Sequence, residues 1–118
     1  MSMLVGGGLL FNQQLIPTGS GTTHSTPGNI SGKKQVTFKL SSTLACTAKV
    51  YYCDGDPTNS STVWYPSPTA ALNSISLGVN TPVTFVDEIN AGWTRIDIPQ
   101  QGAVTPVVTA SFETKAQN

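Results

Sequence analysis

From residue 35 onward the chain alternates. In Gln35-Val36-Thr37-Phe38-Lys39-Leu40 the apolar Val36, Phe38 and Leu40 share one face and Lys39 takes the other, which is the period of a strand half-buried in a sheet. Residues 45–52 (ACTAKVYY) form a second β-rich run, and residues 62–65 (TVWY) a third, closed by Pro66 and Pro68. A fourth spans 71–77 with Leu72, Ile75 and Leu77, although its alternation is poor. Residues 83–86 (VTFV) follow the turn-like Asn80-Thr81-Pro82. Residues 93–98 (WTRIDI) alternate again, with Ile96 and Ile98 on one face and Arg95 and Asp97 on the other. The last run, 104–113, sets Val108, Ala110 and Phe112 on one face, and Pro106 near its start predicts an edge position or a bulge. No window sustains a helical period; one turn within 86–92, stopped by Gly92, is the most the pattern allows. About seven short strands between turn signals predict an all-β fold, a single antiparallel β-sandwich of jelly-roll or Ig-like type.

Residues 1–32 read differently. After an apolar start, Pro17-Thr18-Gly19-Ser20-Gly21-Thr22-Thr23-His24-Ser25-Thr26-Pro27-Gly28 offers turn-formers and small polar residues with no period. The expectation is an extended N-terminal arm over 1–32 and a β-sandwich domain over 33–118. Such an arm is ordered only where something holds it down. Leu4, Val5, Leu9, Leu10, Phe11, Leu15 and Ile16 are its candidate partner-binding residues. Deleting residues 2–16 would then abolish partner binding and leave the sandwich folded.

Composition narrows the function classes. Charged residues make up 10% of the 118, and six basic residues balance six acidic ones. Typical domains carry about 25% charge, so Ser, Thr, Asn, Gln, Gly and Pro cover this surface, which suits a protein packed against neighbours. Clustered Lys and Arg are what draw a protein to nucleic acid; only Lys33 and Lys34 are adjacent here, and they suit a solvated strand edge. No apolar run approaches the ~20 residues of a membrane span. The start lacks a basic n-region and is broken by Gly6, Gly7 and Gly8, so it does not read as a signal peptide. Cys46 and Cys53 fall in one strand, where roughly 3.3 Å per residue separates them far beyond disulfide reach. Both read as small apolar side chains.

Reactive groups are sparse. His24 is the single histidine and sits in the arm, without the rigid nucleophile pairing that triad chemistry requires. Neither cysteine has a metal partner at ligand spacing. Asp54-Gly55-Asp56-Pro57-Thr58-Asn59 holds oxygen ligands but lacks the glutamate that closes a calcium loop, and it reads as a turn. Asp87 and Glu88 would point to opposite sides of a strand. Arg95 and Asp97, two apart, predict an ion pair on one face. Trp64, Tyr65, Tyr51, Tyr52 and Trp93 fit core and interface packing, or else an aromatic platform for a sugar. No catalytic, cofactor or metal residue is assigned, and the chain is read as a non-enzyme.

From Lys34 onward the chain resembles a recurrent β-sandwich of bacteriophage virions. The resemblance is carried by residues 48–56 (AKVYYCDGD), by Val63-Trp64, by Gly92-Trp93-Thr94-Arg95-Ile96, and by the closing run from Gly102-Ala103-Val104 to Phe112. Cys53, where a small residue is usual, and a Pro-rich centre depart from that pattern. The resemblance implies a capsid decoration or cement subunit on the virion exterior, made in the host cytoplasm. It implies a homotrimer whose arm lies on the major capsid protein, with no cofactor, nucleic acid or membrane. The alternative it implies is a head-fibre or tail accessory module that binds host glycan or receptor, which would require an exposed Trp64 or Trp93.

Overall fold

The computed structural model describes residues 5–100 and 102–115. Val5–Leu15 (β1), Thr22–His24 (β2), Gly28–Asn29 (β3), Gln35–Ser42 (β4) and Cys46–Cys53 (β5) lead the chain. Tyr65–Pro66 (β6), a 3-10 turn at Ala70–Leu72, Ile75–Leu77 (β7), Val83–Glu88 (β8), Trp93–Pro99 (β9) and Val107–Lys115 (β10) complete it. One sheet runs β1-β10-β4-β8; the other runs β2-β9-β5-β6, with β3 also on β9 and β7 also on β5. All these strand pairings are antiparallel.

The second sheet has four rows, because each of its edges is one broken strand. β2 and β3 lie end to end along β9, and Ser25 bridges the gap: its N–H donates to the Ile96 carbonyl at 2.8 Å, and its Oγ accepts from the Ile96 N–H at 2.9 Å. β6 and β7 share the far edge of β5 in the same way, with the Ser67 N–H donating to the Val50 carbonyl. Two packed four-row sheets in this order make a jelly roll. The alternation read from residues 35–40 and 93–98 positions the core. Val36, Phe38 and Leu40 of β4 meet Val50 and Tyr52 of β5 and Ile96 and Ile98 of β9, all buried. The fold class is as expected, with the choice between jelly roll and Ig-like resolved.

The expected arm is a different matter. Over its described part it supplies β1, β2 and β3 and joins both sheets. β1 pairs with β10 from Val5↔Lys115 to Leu15↔Val107, with irregularities between Leu9 and Phe11 and between Phe11 and Gln14. At the first, Leu10 and Phe11 both turn inward and are buried; the second passes through Gln13, whose φ is +47°. A sandwich without residues 2–16 would therefore lose Leu10, Phe11 and Ile16 from its core and leave β10 open along one side. Two of the three glycines that interrupt the apolar start, Gly6 and Gly7, are required by packing. A Cβ on Gly7 would overlap the Phe112 carbonyl oxygen, and one on Gly6 would sit 2.9 Å from Thr114 Oγ1.

Three smaller readings also shift. Residues 86–92 hold no helical turn, because β8 continues to Glu88. The strand read at 62–65 reduces to Tyr65–Pro66, since tight turns occupy the residues before it. The weak run at 71–77 divides into the 3-10 turn and β7. Pro106 immediately precedes β10, which is a central strand and not an edge.

Candidate functional site

The outer face of the second sheet carries the densest polar chemistry. Alternation in β9 turns Arg95 and Asp97 outward while Ile96 and Ile98 go in; β5 likewise turns out Lys49 and Tyr51. The register sets Lys49 and His24 on either side of Asp97, and Tyr51 beside Arg95. Asp97 is the hub. His24 Nδ1 donates to its Oδ1 at 2.7 Å, and Arg95 Nη2 donates to its Oδ2 at 3.3 Å. Arg95 Nε lies 2.9 Å from Oδ1 but off the hydrogen-bond line, so that contact is ionic. Side-chain exposure is 19% for Arg95 and 8% for Asp97, which places the pair well below the fully solvated surface.

Arg95 is also stacked. Its guanidinium carbon lies 4.4 Å from the Trp64 ring centroid and 5.8 Å from that of Tyr51, a cation–π arrangement strengthened by partial burial. The ion pair foreseen from the two-residue spacing is thus present and embedded among aromatics. Trp64 arrives at the end of the 54–64 loop, which braces itself. Asp56 Oδ1 accepts from the Thr58 N–H at 2.9 Å and its hydroxyl at 2.7 Å, and Asn59 Oδ1 accepts from the Ser61 N–H at 2.8 Å. These are turn bonds, as the Asp-Gly-Pro-Asn composition indicated. They hold the Asp56 carboxyl below the usual carboxylate range, the Thr58 hydroxyl contributing most. No cluster of three or more metal-ligating side chains occurs among the described residues.

A second polar centre lies inside. Asp87, 3% exposed, projects from β8 between the sheets. Its Oδ2 accepts from the Tyr52 hydroxyl at 2.6 Å and Ser67 Oγ at 2.8 Å, and its Oδ1 accepts from Thr69 Oγ1 at 2.7 Å. Burial, and then the adjacent carboxylate, push the Tyr52 hydroxyl far above its ordinary pKa. Here a carboxylate is satisfied by hydroxyls and ties the two sheets together. Strand alternation puts Asp87 and Glu88 on opposite sides, as they are, but nothing in the sequence announces three hydroxyl partners 18 to 35 residues away.

The partner-binding candidates fall into two groups. Leu10, Phe11 and Ile16 are buried in this chain's own core, whereas Leu9 is 53% and Leu15 51% exposed. Leu4 and the side chain of Val5 lie outside the described residues. Leu9 shares the outer face of the first sheet with Ser111, Lys39 and Thr84. Of Tyr51, Tyr52, Trp64, Tyr65 and Trp93, Tyr52 alone is fully buried; Trp64 and Trp93 are half-buried on the second sheet's outer side.

No family model matches this chain, and no curated protein matches its sequence. Solved structures do match. VP2 of infectious bursal disease virus, solved as a subviral particle, aligns over 98% of this chain at a TM-score of 0.61 and 14% identity. The fold is similar to that of a virus-particle protein. The chain spans only 33% of that VP2 chain, and 32% of VP2 from the Gx strain, matched at a TM-score of 0.51 and 9% identity. A Bacillus endospore appendage protein, from a family of disulfide-linked pili, matches over 100% of this chain and 93% of its own length at a TM-score of 0.51 and 10% identity. At these identities the likeness concerns the fold.

Proposed function

We propose that this chain is a non-enzymatic structural subunit of a virus particle, a decoration or cement protein on the exterior of a phage head. The observation that carries the reading is the jelly roll itself, superposing over 98% of its length on a protein that forms subviral particles. The surface supports it. A chain with 10% charge and no net charge repels its copies weakly, and Leu9, Leu15 and Val86 stand about half exposed on or beside the first sheet's outer face. That face is the docking side for the major capsid protein, with Leu9 and Leu15 as its grips; Leu10, Phe11 and Ile16 serve the core instead. A homotrimer seated at a threefold position gives each copy the repeated, symmetric contact that a shell provides.

Heads assembled from a genome lacking this gene test the proposal. They should form with normal shape but release DNA at a lower temperature than wild-type heads, and purified chain added back should restore the difference. Heads equally heat-stable without it would refute the cement role.

The appendage protein, matched over nearly its whole length, favours a second reading in the same structural class: a subunit of a filament. Negative-stain images of the native assembly distinguish the two, since a filament subunit would be found in fibres and not on shells.

A further inference from the structure

A sheet edge presents backbone N–H and C=O groups that can pair with another strand, and proteins blunt such edges with bulges, short strands or cover. Three of the four edges here are blunted. β1 is broken by two irregularities, and Thr26 donates its N–H and its hydroxyl to the Leu10 carbonyl. β2 with β3, and β6 with β7, are pieces of two or three residues. β8 differs. It pairs with β4 from Gln35↔Glu88 to Leu40↔Val83 without a register shift, and no strand lies on its other side.

The register identifies the open groups. The Ile89 N–H donates to the Lys34 carbonyl and the Asn80 N–H to that of Ser42. The even-numbered residues of β4 therefore turn their backbone groups toward β8, where Val83, Phe85 and Asp87 meet them. That leaves the N–H and C=O of Thr84, Val86 and Glu88 facing out of the sheet, with no partner among the described residues. The side chains of these three are exposed, and Val83, Phe85 and Ile89 on the inner side are only partly covered by the core.

We propose that β8 pairs antiparallel with β8 of a second copy of this chain, across a twofold axis at Val86. Two four-stranded sheets then become one of eight. In this register Val86 faces its own copy, Thr84 faces Glu88 of the other chain, and the open backbone groups of all three residues find partners. Charge favours this occupant. On the outer face, the row across the seam reads Lys39, Thr84, then Glu88 and Gln35 of the second copy, and the symmetric row lies beyond Val86. Neighbouring strands are about 4.8 Å apart, so Lys39 and that Glu88 are separated only by the short Thr84. Lys39 is 56% exposed and touches Glu113 from the other side at 3.6 Å. On the inner face Val83 comes opposite Ile89 of the second copy, which covers both. No like charges meet across the seam, and the chain has no net charge to oppose self-association. The pairing does not rest on the particle reading. β8 is the margin opposite β1, so Leu9 and Leu15 stay free.

Sedimentation equilibrium of the full-length chain should show reversible self-association that weakens about tenfold or more in Val86→Pro, which loses two inter-chain bonds. The Val86 N–H faces outward, so proline there spares the chain's own ladder. Val86→Cys locates the seam. A hydrogen-bonded antiparallel pair holds its Cα atoms about 5.5 Å apart, within disulfide reach, so mild oxidation should trap a dimer. Thr84→Cys, also exposed on this strand, would lie about 13 Å from its own copy and should not be trapped. Glu88→Lys should slow the trapping of Val86→Cys, and adding Lys39→Glu should restore it. If Val86→Pro fails to fold, the cysteine variants decide. A parent that sediments as a monomer at every concentration, equal trapping of the two cysteines, or trapping that Glu88→Lys leaves unchanged would overturn the pairing. So would a trimer that Val86→Pro leaves intact, although that result would leave the particle reading standing.

Discussion

Two carboxylates show how differently one residue type is used on the two sides of a sheet. Asp97 faces outward, meets Arg95 and His24, and steadies a platform; Asp87 faces inward and is satisfied by three hydroxyls with no cation among them. Removing a buried acceptor strands its donors, and a stranded buried group costs about 1–3 kcal/mol. Asp87→Ala should therefore destabilise the fold by about 3 kcal/mol or more, while Tyr52→Phe, which removes one donor and leaves two, should cost about 1.5–3 kcal/mol. Urea unfolding of both variants checks the order; equal stability of Asp87→Ala and the parent would contradict the description of the clamp. The cysteines give a second expectation. Both are free and buried, and burial raises both thiols above their ordinary range. A higher pKa means less thiolate at a given pH, so neither should react with a thiol reagent at pH 7 until the protein unfolds. Rapid labelling of the native chain would show that one of them is reachable. At this scale the sequence was partly legible: a two-residue spacing is enough to pair Arg95 with Asp97, but His24 lies 73 residues from Asp97 and only the β2–β9 register joins them.

The strands divide by how their order is encoded. β4 and β9 carry their own instruction, a clean alternation that fixes which residues go in. β1, β2 and β3 carry almost none. The glycines and asparagines of β1 and β3 disfavour strands in isolation, β2 is only Thr22–His24, and all three are strands because β9 and β10 each have an open side to be paired. Propensity therefore read them as an arm, and a pairing partner far along the chain overrides it. The same logic predicts opposite outcomes for adjacent glycines. Gly7→Ala should detach β1 from β10, because its Cβ would overlap backbone, whereas Gly8→Ala meets only the edge of the Phe112 ring at 3.5 Å, an ordinary contact. Amide hydrogen exchange along β10 is the appropriate measurement: faster exchange in Gly7→Ala alone is expected, and equal protection in both variants would mean that β1 contributes little to the ladder.

As a whole the molecule presents two unlike broad faces. The second sheet's outer side is clustered, charged in pairs and aromatic; the first sheet's is rich in Ser and Thr and carries the Lys39–Glu113 pair at 3.6 Å with both partners more than half exposed. An exposed pair of this kind is worth about 1 kcal/mol or less, so this face is held chiefly by its ladders. Leu9 and Leu15 are the residues on its margin that a partner would cover. Leu9→Ser with Leu15→Ser should fold as the parent does, since both side chains are already half in water, and should bind heads poorly in a sedimentation assay; normal co-sedimentation would move the docking face elsewhere. The central claim, a repeating subunit of a shell, is tested most directly by a cryo-EM map of the intact particle. This jelly roll is expected on the outer surface in on the order of hundreds of copies, repeated at equivalent positions as a closed symmetric shell demands, with the β1 margin against the major capsid protein. A map that shows no such density on the head, or a handful of copies confined to the tail, would contradict it.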